Sequence, residues 1–247
     1  MSHRAEFALA LCIGLLVIAI RAPLMDLPLE RDEGEYAYIA WRMTFGETPY
    51  LDWFDQKPPG IFAVYRLAIA LAGDSVVAIR ALAAVFSAIS CIALFHLVRL
   101  LLGIGAGLTS ALLLAFLAAD PMIHGSIANT EVFMLPGIII ANLLVLRAID
   151  SAKPPIVTSL AAGIAIGIAI AFKQVAALNV PFFLLAFGRL SIAFCRHVLL
   201  VDGMIPVAHV RCQVVLFCLA CDCFGPFLAL GSSHWCHHLS LFLQLFA

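Results

Sequence analysis

Eight of the chain's fifteen acidic residues fall within residues 26–55: Asp26, Glu30, Asp32, Glu33, Glu35, Glu47, Asp52 and Asp55. A carboxylate held at hydrogen-bond distance from a hydroxyl can act as its general base. The adjacent pair Asp32 and Glu33 is the candidate for that role. A purely local role fits the same pair, with Asp32 capping a helix and Glu33 favoured by the helix dipole. The segment closes on Gln56-Lys57-Pro58-Pro59-Gly60. A lysine beside two stiff prolines offers a fixed point charge to a phosphate, or snorkels to lipid headgroups. Lys173, between Phe172 and Gln174, lies at the end of an apolar run, where an ionisable residue is a functional candidate by default. Glu131 ends the segment His124-Gly125-Ser126-Ile127-Ala128-Asn129-Thr130-Glu131, either as a ligand for a hydroxyl group or as a favourable charge at a helix start.

These side chains need elements to hold them, and apolar runs supply those elements. A bilayer core of ~30 Å takes about 20 apolar residues in a helix. By that measure the spans are 5–24, 76–102, 104–123, 132–149, 156–172 and 175–190. Residues 60–73 are apolar but short for a span and contain Arg66, so an interfacial or re-entrant helix is expected there. Asp32-Glu33-Gly34-Glu35 reads as a helix start, with Asp32 as N-cap and Glu35 reaching back. Tyr36, Ile39, Ala40 and Met43 then follow at helical spacing, and Gly46 stops the helix.

Composition sets the solvent. The chain has 247 residues, 64% hydrophobic and 12% charged, with mean hydropathy +1.09. Soluble domains are about 45–50% apolar and about 25% charged, so this much apolar surface belongs in lipid. The net charge of −1 gives no reason to expect nucleic acid as a partner. Arg4 and the apolar run 7–20 lack a convincing small-residue cleavage site afterwards, so the first helix is read as uncleaved.

The expected fold class is an all-α membrane protein, a multi-span helical bundle whose extracytoplasmic first loop carries short interfacial helices. If residues 60–73 do not cross, the loop at about 25–59, the loop 124–131 and the turn 172–174 share one face. Arg99, Arg147, Lys153 and Arg189 share the other with His3 and Arg4. The positive-inside rule makes that second face, and the N-terminus, cytoplasmic, against Arg21, Arg31, Arg42 and Lys57 on the first.

Residues 189–247 differ from the rest. They hold no Lys and no Glu, yet carry Cys195, Cys212, Cys218, Cys221, Cys223 and Cys236 with His197, His209, His234, His237 and His238. A zinc site is not favoured, because the Cys218-x2-Cys221 group begins inside an apolar run and has no regularly spaced second pair. The stretch is either a distinct tail or a segment translated out of frame; the second reading is preferred. The expected division is thus a transmembrane catalytic region, 1–188, and an atypical tail, 189–247. No Gly-rich nucleotide loop, nucleophile elbow or zincin motif occurs, and neither a cofactor nor a metal is expected.

The ordered motifs Arg31-Asp32-Glu33-Gly34-Glu35-Tyr36, Lys57-Pro58-Pro59-Gly60 and Thr130-Glu131, placed among apolar helices, resemble the GT-C membrane glycosyltransferases of the protein O-mannosyltransferase and aminoarabinose-transferase type (glycosyltransferase 39-like proteins). The likeness covers roughly residues 5–188, and this chain would be a truncated member. It implies transfer of a sugar from a polyprenyl-phosphate donor, on the outer face of the cell membrane, to a lipid, glycan or protein acceptor. It implies Asp32 as the base with Glu33 beside it, Lys57 and Lys173 at the donor phosphate, and Glu131, Glu35 and Tyr36 at the substrate. The competing readings are a non-catalytic truncated product or accessory membrane subunit, and then a transporter or flippase component, which would want midplane charges and an internal repeat.

Overall fold

The computed structural model describes residues 3–149 and 156–184. Among them are seven α-helices and no β-strand: α1 (His3–Arg21), α2 (Arg31–Arg42), α3 (Gly60–Ala72), α4 (Val76–Leu102), α5 (Ile104–Leu117), α6 (Thr130–Ile149) and α7 (Ile156–Phe172). Three segments are long and apolar enough to cross a membrane: Arg4–Leu24, Val76–Leu102 and Thr130–Ala148. The protein is an all-α membrane protein.

The central element is α4, which packs against α1, α3, α5 and α6. It divides the interior into two apolar clusters. One joins Ile13 and Val17 of α1 to Cys91 and Phe95 of α4 and to Ala111 and Ala115 of α5. The other gathers Tyr36 and Ile39 of α2, Ile61, Phe62 and Tyr65 of α3, Phe133 and Ile138 of α6, and Ile166 and Phe172 of α7. Outward faces stay apolar as well, with Phe7, Leu71, Val157 and Leu160 well exposed. Apolar side chains on the outside suit a helix whose solvent is lipid.

One expected span is shorter than the sequence pattern suggests, and another keeps its bounds. The 104–123 run is helical only to Leu117, giving 14 residues, whereas α7 covers the expected 156–172. Beyond α5 the chain tightens into a 3₁₀ turn at Pro121–Ile123, where the Asp120 carboxylate accepts from the Met122 N–H at 2.8 Å. Proline and a competing side-chain acceptor both end a helix that hydropathy alone would continue.

The path of α3 is short. It begins against the last turn of α7: a Cβ on Gly60 would lie 2.4 Å from the Ala171 carbonyl oxygen, so only glycine permits the approach. The chain then turns through 73–75 into α4, whose Arg80 reaches the loops at the same end of the bundle.

The start of α2 differs from the sequence expectation. Glu30, not Asp32, is the N-cap, and Glu33, not Glu35, reaches back to it, accepting from the Glu30 N–H at 2.9 Å. The capping spacing is the same but shifted by two residues, because Arg80 fixes where Glu33 sits. At the far end, after a 3₁₀ turn, Gly46 stops the helix in a left-handed conformation with φ +90°.

Candidate functional site

The loops after α1, α5 and α7 meet at one end of the bundle. The lower half of their junction is locked. Glu33 is fully buried, and its carboxylate accepts from Arg80 at 2.8 Å, from the Ala128 N–H at 2.5 Å and from the Glu30 N–H at 2.9 Å. Arg80, itself buried, also donates to the carbonyls of Pro28 (3.0 Å) and Ser126 (3.3 Å). Arg21, at the end of α1, donates to the carbonyls of Ala118, Gly125 (2.7 Å) and Ser126 (2.9 Å). Two guanidiniums and one carboxylate thus bind the chain ahead of α2 to the chain ahead of α6.

The upper half is open. Asp32 is partly exposed, and among the described residues it is held only by Arg31, at 3.3 Å. Tyr36, one turn further along α2, is buried against Phe62 and Tyr65, with ring centroids at 6.2 and 5.8 Å. Its hydroxyl lies 3.4 Å from Asn129 Oδ1. Burial pushes the Tyr36 hydroxyl well above its ordinary pKa, and the charges of Asp32, Asp55, Glu131 and Glu35 add to the rise. Four carboxylates from three segments therefore act on one phenol.

Two cations lie on the segments that adjoin these carboxylates. The Lys57 N–H donates to Asp55 Oδ1 at 3.1 Å, and the Lys57 carbonyl accepts from the Tyr50 hydroxyl at 2.5 Å. Among the described residues its ammonium has no ion-pair partner. Lys173, in the extended link after α7, pairs with Glu131 Oε1, while Thr130 Oγ1 donates to the other Glu131 oxygen at 3.0 Å. Gln174 donates to the Gln56 carbonyl at 2.8 Å. With Gly60 packed on Ala171, that bond lays the Lys57-Pro58-Pro59 strand beside the Lys173 turn.

A clasp on the outside holds the connecting segment. The Glu47 carboxylate accepts from Arg42 and from the Trp53 indole, and the Arg42 guanidinium lies 5.4 Å from the Trp53 ring centre. The hydrogen bond from Arg42 holds the Glu47 carboxyl below its usual range, with Trp53 adding to the effect. Tyr50 takes a positive φ of 68° there, a conformation that bulky non-glycine residues rarely adopt.

Every candidate residue named from the sequence falls at this end of the bundle. Asp32, Glu35, Tyr36 and Glu131 share one cluster, Lys173 is bonded into it, and Lys57 is tied to it through Asp55. Glu33 is different, since burial and three bonds leave it no open face. Three contributors were not singled out from the pattern: Arg21, Arg80 and Asp55. Arg80 carried a signal, because an ionisable residue inside an apolar span needs a partner there. Asp55 carried none beyond the acidic crowd; its Oδ2 is buried without a hydrogen-bond partner among the described residues. A separate cavity of about 310 Å³, lined by Leu29, Ala37, Trp41, Ile69 and Ile79, contains none of the candidate residues. The tail 189–247, with its cysteines and histidines, lies outside the described residues.

A protein-family model matches residues 56–210, so its match opens at Gln56, one residue ahead of Lys57, and takes in Glu131 and Lys173. The family is described as dolichyl-phosphate-mannose-protein mannosyltransferase. No curated protein and no solved structure matches the chain.

Proposed function

The chain belongs to the dolichyl-phosphate-mannose-protein mannosyltransferase family, and from that premise we propose that it moves a sugar from a polyprenyl-phosphate donor to a hydroxyl acceptor at the outer face of the cell membrane. The acceptor class is a lipid, a glycan or a protein. The observation that carries the reading is the meeting of Asp32 and its neighbouring carboxylates with the Lys57 and Lys173 segments at one end of a membrane bundle.

The chemistry needs both signs of charge. The acceptor oxygen forms a bond to the anomeric carbon as the bond from that carbon to the phosphate oxygen breaks. The phosphate leaves with the electron pair, and the acceptor proton goes to a base. Asp32, exposed and weakly held, is the base. Lys57 and Lys173 meet the growing charge on the leaving phosphate, where a fixed cation stabilises the transition state. Glu35, Glu131 and Tyr36 line the space between and take up substrate hydroxyls. Glu33 serves the reaction through its neighbours: locked to Arg80 and Ala128, it sets the position of Asp32 on one side and of Asn129 to Glu131 on the other.

Orientation follows from the outer-face reading of the site. The N-terminus and the far end, where Arg99 and Arg147 close α4 and α6 and Arg99 pairs with Glu6 at 2.5 Å, are then cytoplasmic. The site end carries Arg21, Arg31, Arg42, Lys57 and Lys173, so the positive-inside count does not itself set the orientation. Lys153 and Arg189 lie outside the described residues.

The test is transfer of labelled mannose from a polyprenyl-phosphate donor by membranes that contain the chain. Asp32→Asn should cut the rate by about 10²–10⁴ while the protein still inserts and melts as before. Unchanged transfer by Asp32→Asn removes Asp32 from the role. No transfer by the parent chain favours the accessory-subunit reading.

A further inference from the structure

The two residues assigned to the donor phosphate and to the substrate on the third loop are bonded to each other: Lys173 Nζ lies on Glu131 Oε1. We propose that Glu131 is a place-holder for the donor phosphate, exchanged for it at Lys173 when the donor enters. The inference rests on the phosphate role proposed above for Lys173.

Geometry makes the exchange feasible. The pair is exposed to solvent, with 27% of the Lys173 side chain and 50% of the Glu131 side chain accessible. Exposed pairs contribute little, so a competing anion displaces one readily. Each partner also has somewhere to go. Lys173 hangs on a four-carbon stem from an extended link between α7 and the following 3₁₀ turn, with φ −154° and ψ 128°. Glu131 keeps two supports after losing the lysine. Thr130 Oγ1 holds its second oxygen at 3.0 Å, and its place in the first turn of α6 favours a negative charge.

Charge makes the exchange useful. Asp32, Asp55, Glu131 and Glu35 all act on the Tyr36 hydroxyl, and Lys57 and Lys173 lie on the segments that carry Asp55 and the partner of Glu131. An empty site with its lysines unpaired would let them collapse onto whichever carboxylate was nearest, Asp32 included. Giving Lys173 its own carboxylate keeps Asp32 free. When the phosphodiester arrives, its single negative charge takes over the lysine, and Glu131 becomes available to a sugar or acceptor hydroxyl. The alternative is that Glu131 steers Lys173 toward the phosphate, and the two differ in sign. A place-holder competes with phosphate, so its removal tightens binding; a steering group's removal weakens it.

The experiment measures binding of a short-chain polyprenyl phosphate to the full chain in lipid nanodiscs. Four proteins are compared: parent, Glu131→Gln, Lys173→Gln and the double variant. The expected result is about three- to tenfold tighter binding for Glu131→Gln, weaker binding for Lys173→Gln, and no gain from Glu131→Gln once Lys173 is gone. Weaker binding by Glu131→Gln, or an equal gain in the Lys173→Gln background, overturns the inference while the donor reading stands. Absence of saturable binding by the folded parent protein overturns the donor reading itself, and this inference with it. A Glu131→Gln protein that fails to fold also overturns it, because a place-holder is dispensable to the fold.

Discussion

Among the ion pairs that tie the loops at the site end together, two sit in different solvents. Arg80 and Glu33, 2.8 Å apart, have 3% and 0% of their side chains accessible. Lys173 and Glu131 have 27% and 50%. In the first pair desolvation makes separation costly, since either partner alone would be a buried charge without compensation. In the second, water can replace either partner, and another anion can replace the carboxylate, at little cost. The neighbours Asp32 and Glu33 divide the same way. One is buried and bonded on all sides, and the other is partly exposed with a single weak contact. The site is thus a rigid seat beneath exchangeable charges. The proposed function would use both: the seat would fix the distance from base to leaving group, and the exchangeable layer would admit ligands.

The largest effect expected on folding comes from breaking the buried pair. Arg80→Ala should cost about 3–5 kcal/mol of stability, because it strands the Glu33 carboxylate and frees the Pro28 and Ser126 carbonyls. Lys173→Ala should cost about 1 kcal/mol or less. Unfolding both in the same detergent checks the contrast, and equal losses would erase the distinction between seat and exchangeable layer. Gly60→Ala comes next. Its Cβ would meet the Ala171 carbonyl at 2.4 Å, and such overpacking costs about 1–3 kcal/mol. It should also part the Lys57 strand from the Lys173 turn and weaken polyprenyl-phosphate binding. Gly34→Ala is the control: nothing lies within 4 Å of its Cβ, so α2 should gain about 0.5–1 kcal/mol.

Much of this arrangement was legible in the residues. Apolar runs with few charges specify helices in lipid whatever their partners, and the loop acids stood out because the rest of the chain has so few. The convergence of 25–59, 124–131 and 172–174 followed from counting crossings, provided α3 did not cross. What the pattern could not give was register. The N-cap moved from Asp32 to Glu30 because a residue 47 positions away, Arg80, holds Glu33. No local rule sees that bond. The length of α5 was missed for a similar reason: hydropathy runs past Leu117, but the Asp120 and Pro121 turn ends the helix. Asp55 illustrates a further limit, since a buried oxygen without a partner among the described residues is a fact of three-dimensional packing alone.

The smallest effect tests whether the phenol belongs to the seat or to the exchangeable layer. Tyr36 is buried among rings and faces four carboxylates, so its neutral form is favoured in the folded protein. Its folded pKa therefore lies above the ordinary value of 10.0. With the folded pKa raised, the folded state holds the proton more tightly than the unfolded chain once pH passes 10. The stability this group contributes is fully present below that pH and is lost as pH climbs toward the folded pKa. The loss is at most about 1.4 kcal/mol for each pH unit. Lysines titrate in the same range, so the measurement is a difference. Parent and Tyr36→Phe are melted side by side from neutral pH to above pH 10, and the parent should lose its advantage progressively over the alkaline part of that range. A constant difference would mean that the phenol ionises as freely folded as unfolded. Tyr36 would then face water like Asp32, and the open layer would reach one turn deeper into α2 than its packing against Phe62 and Tyr65 implies.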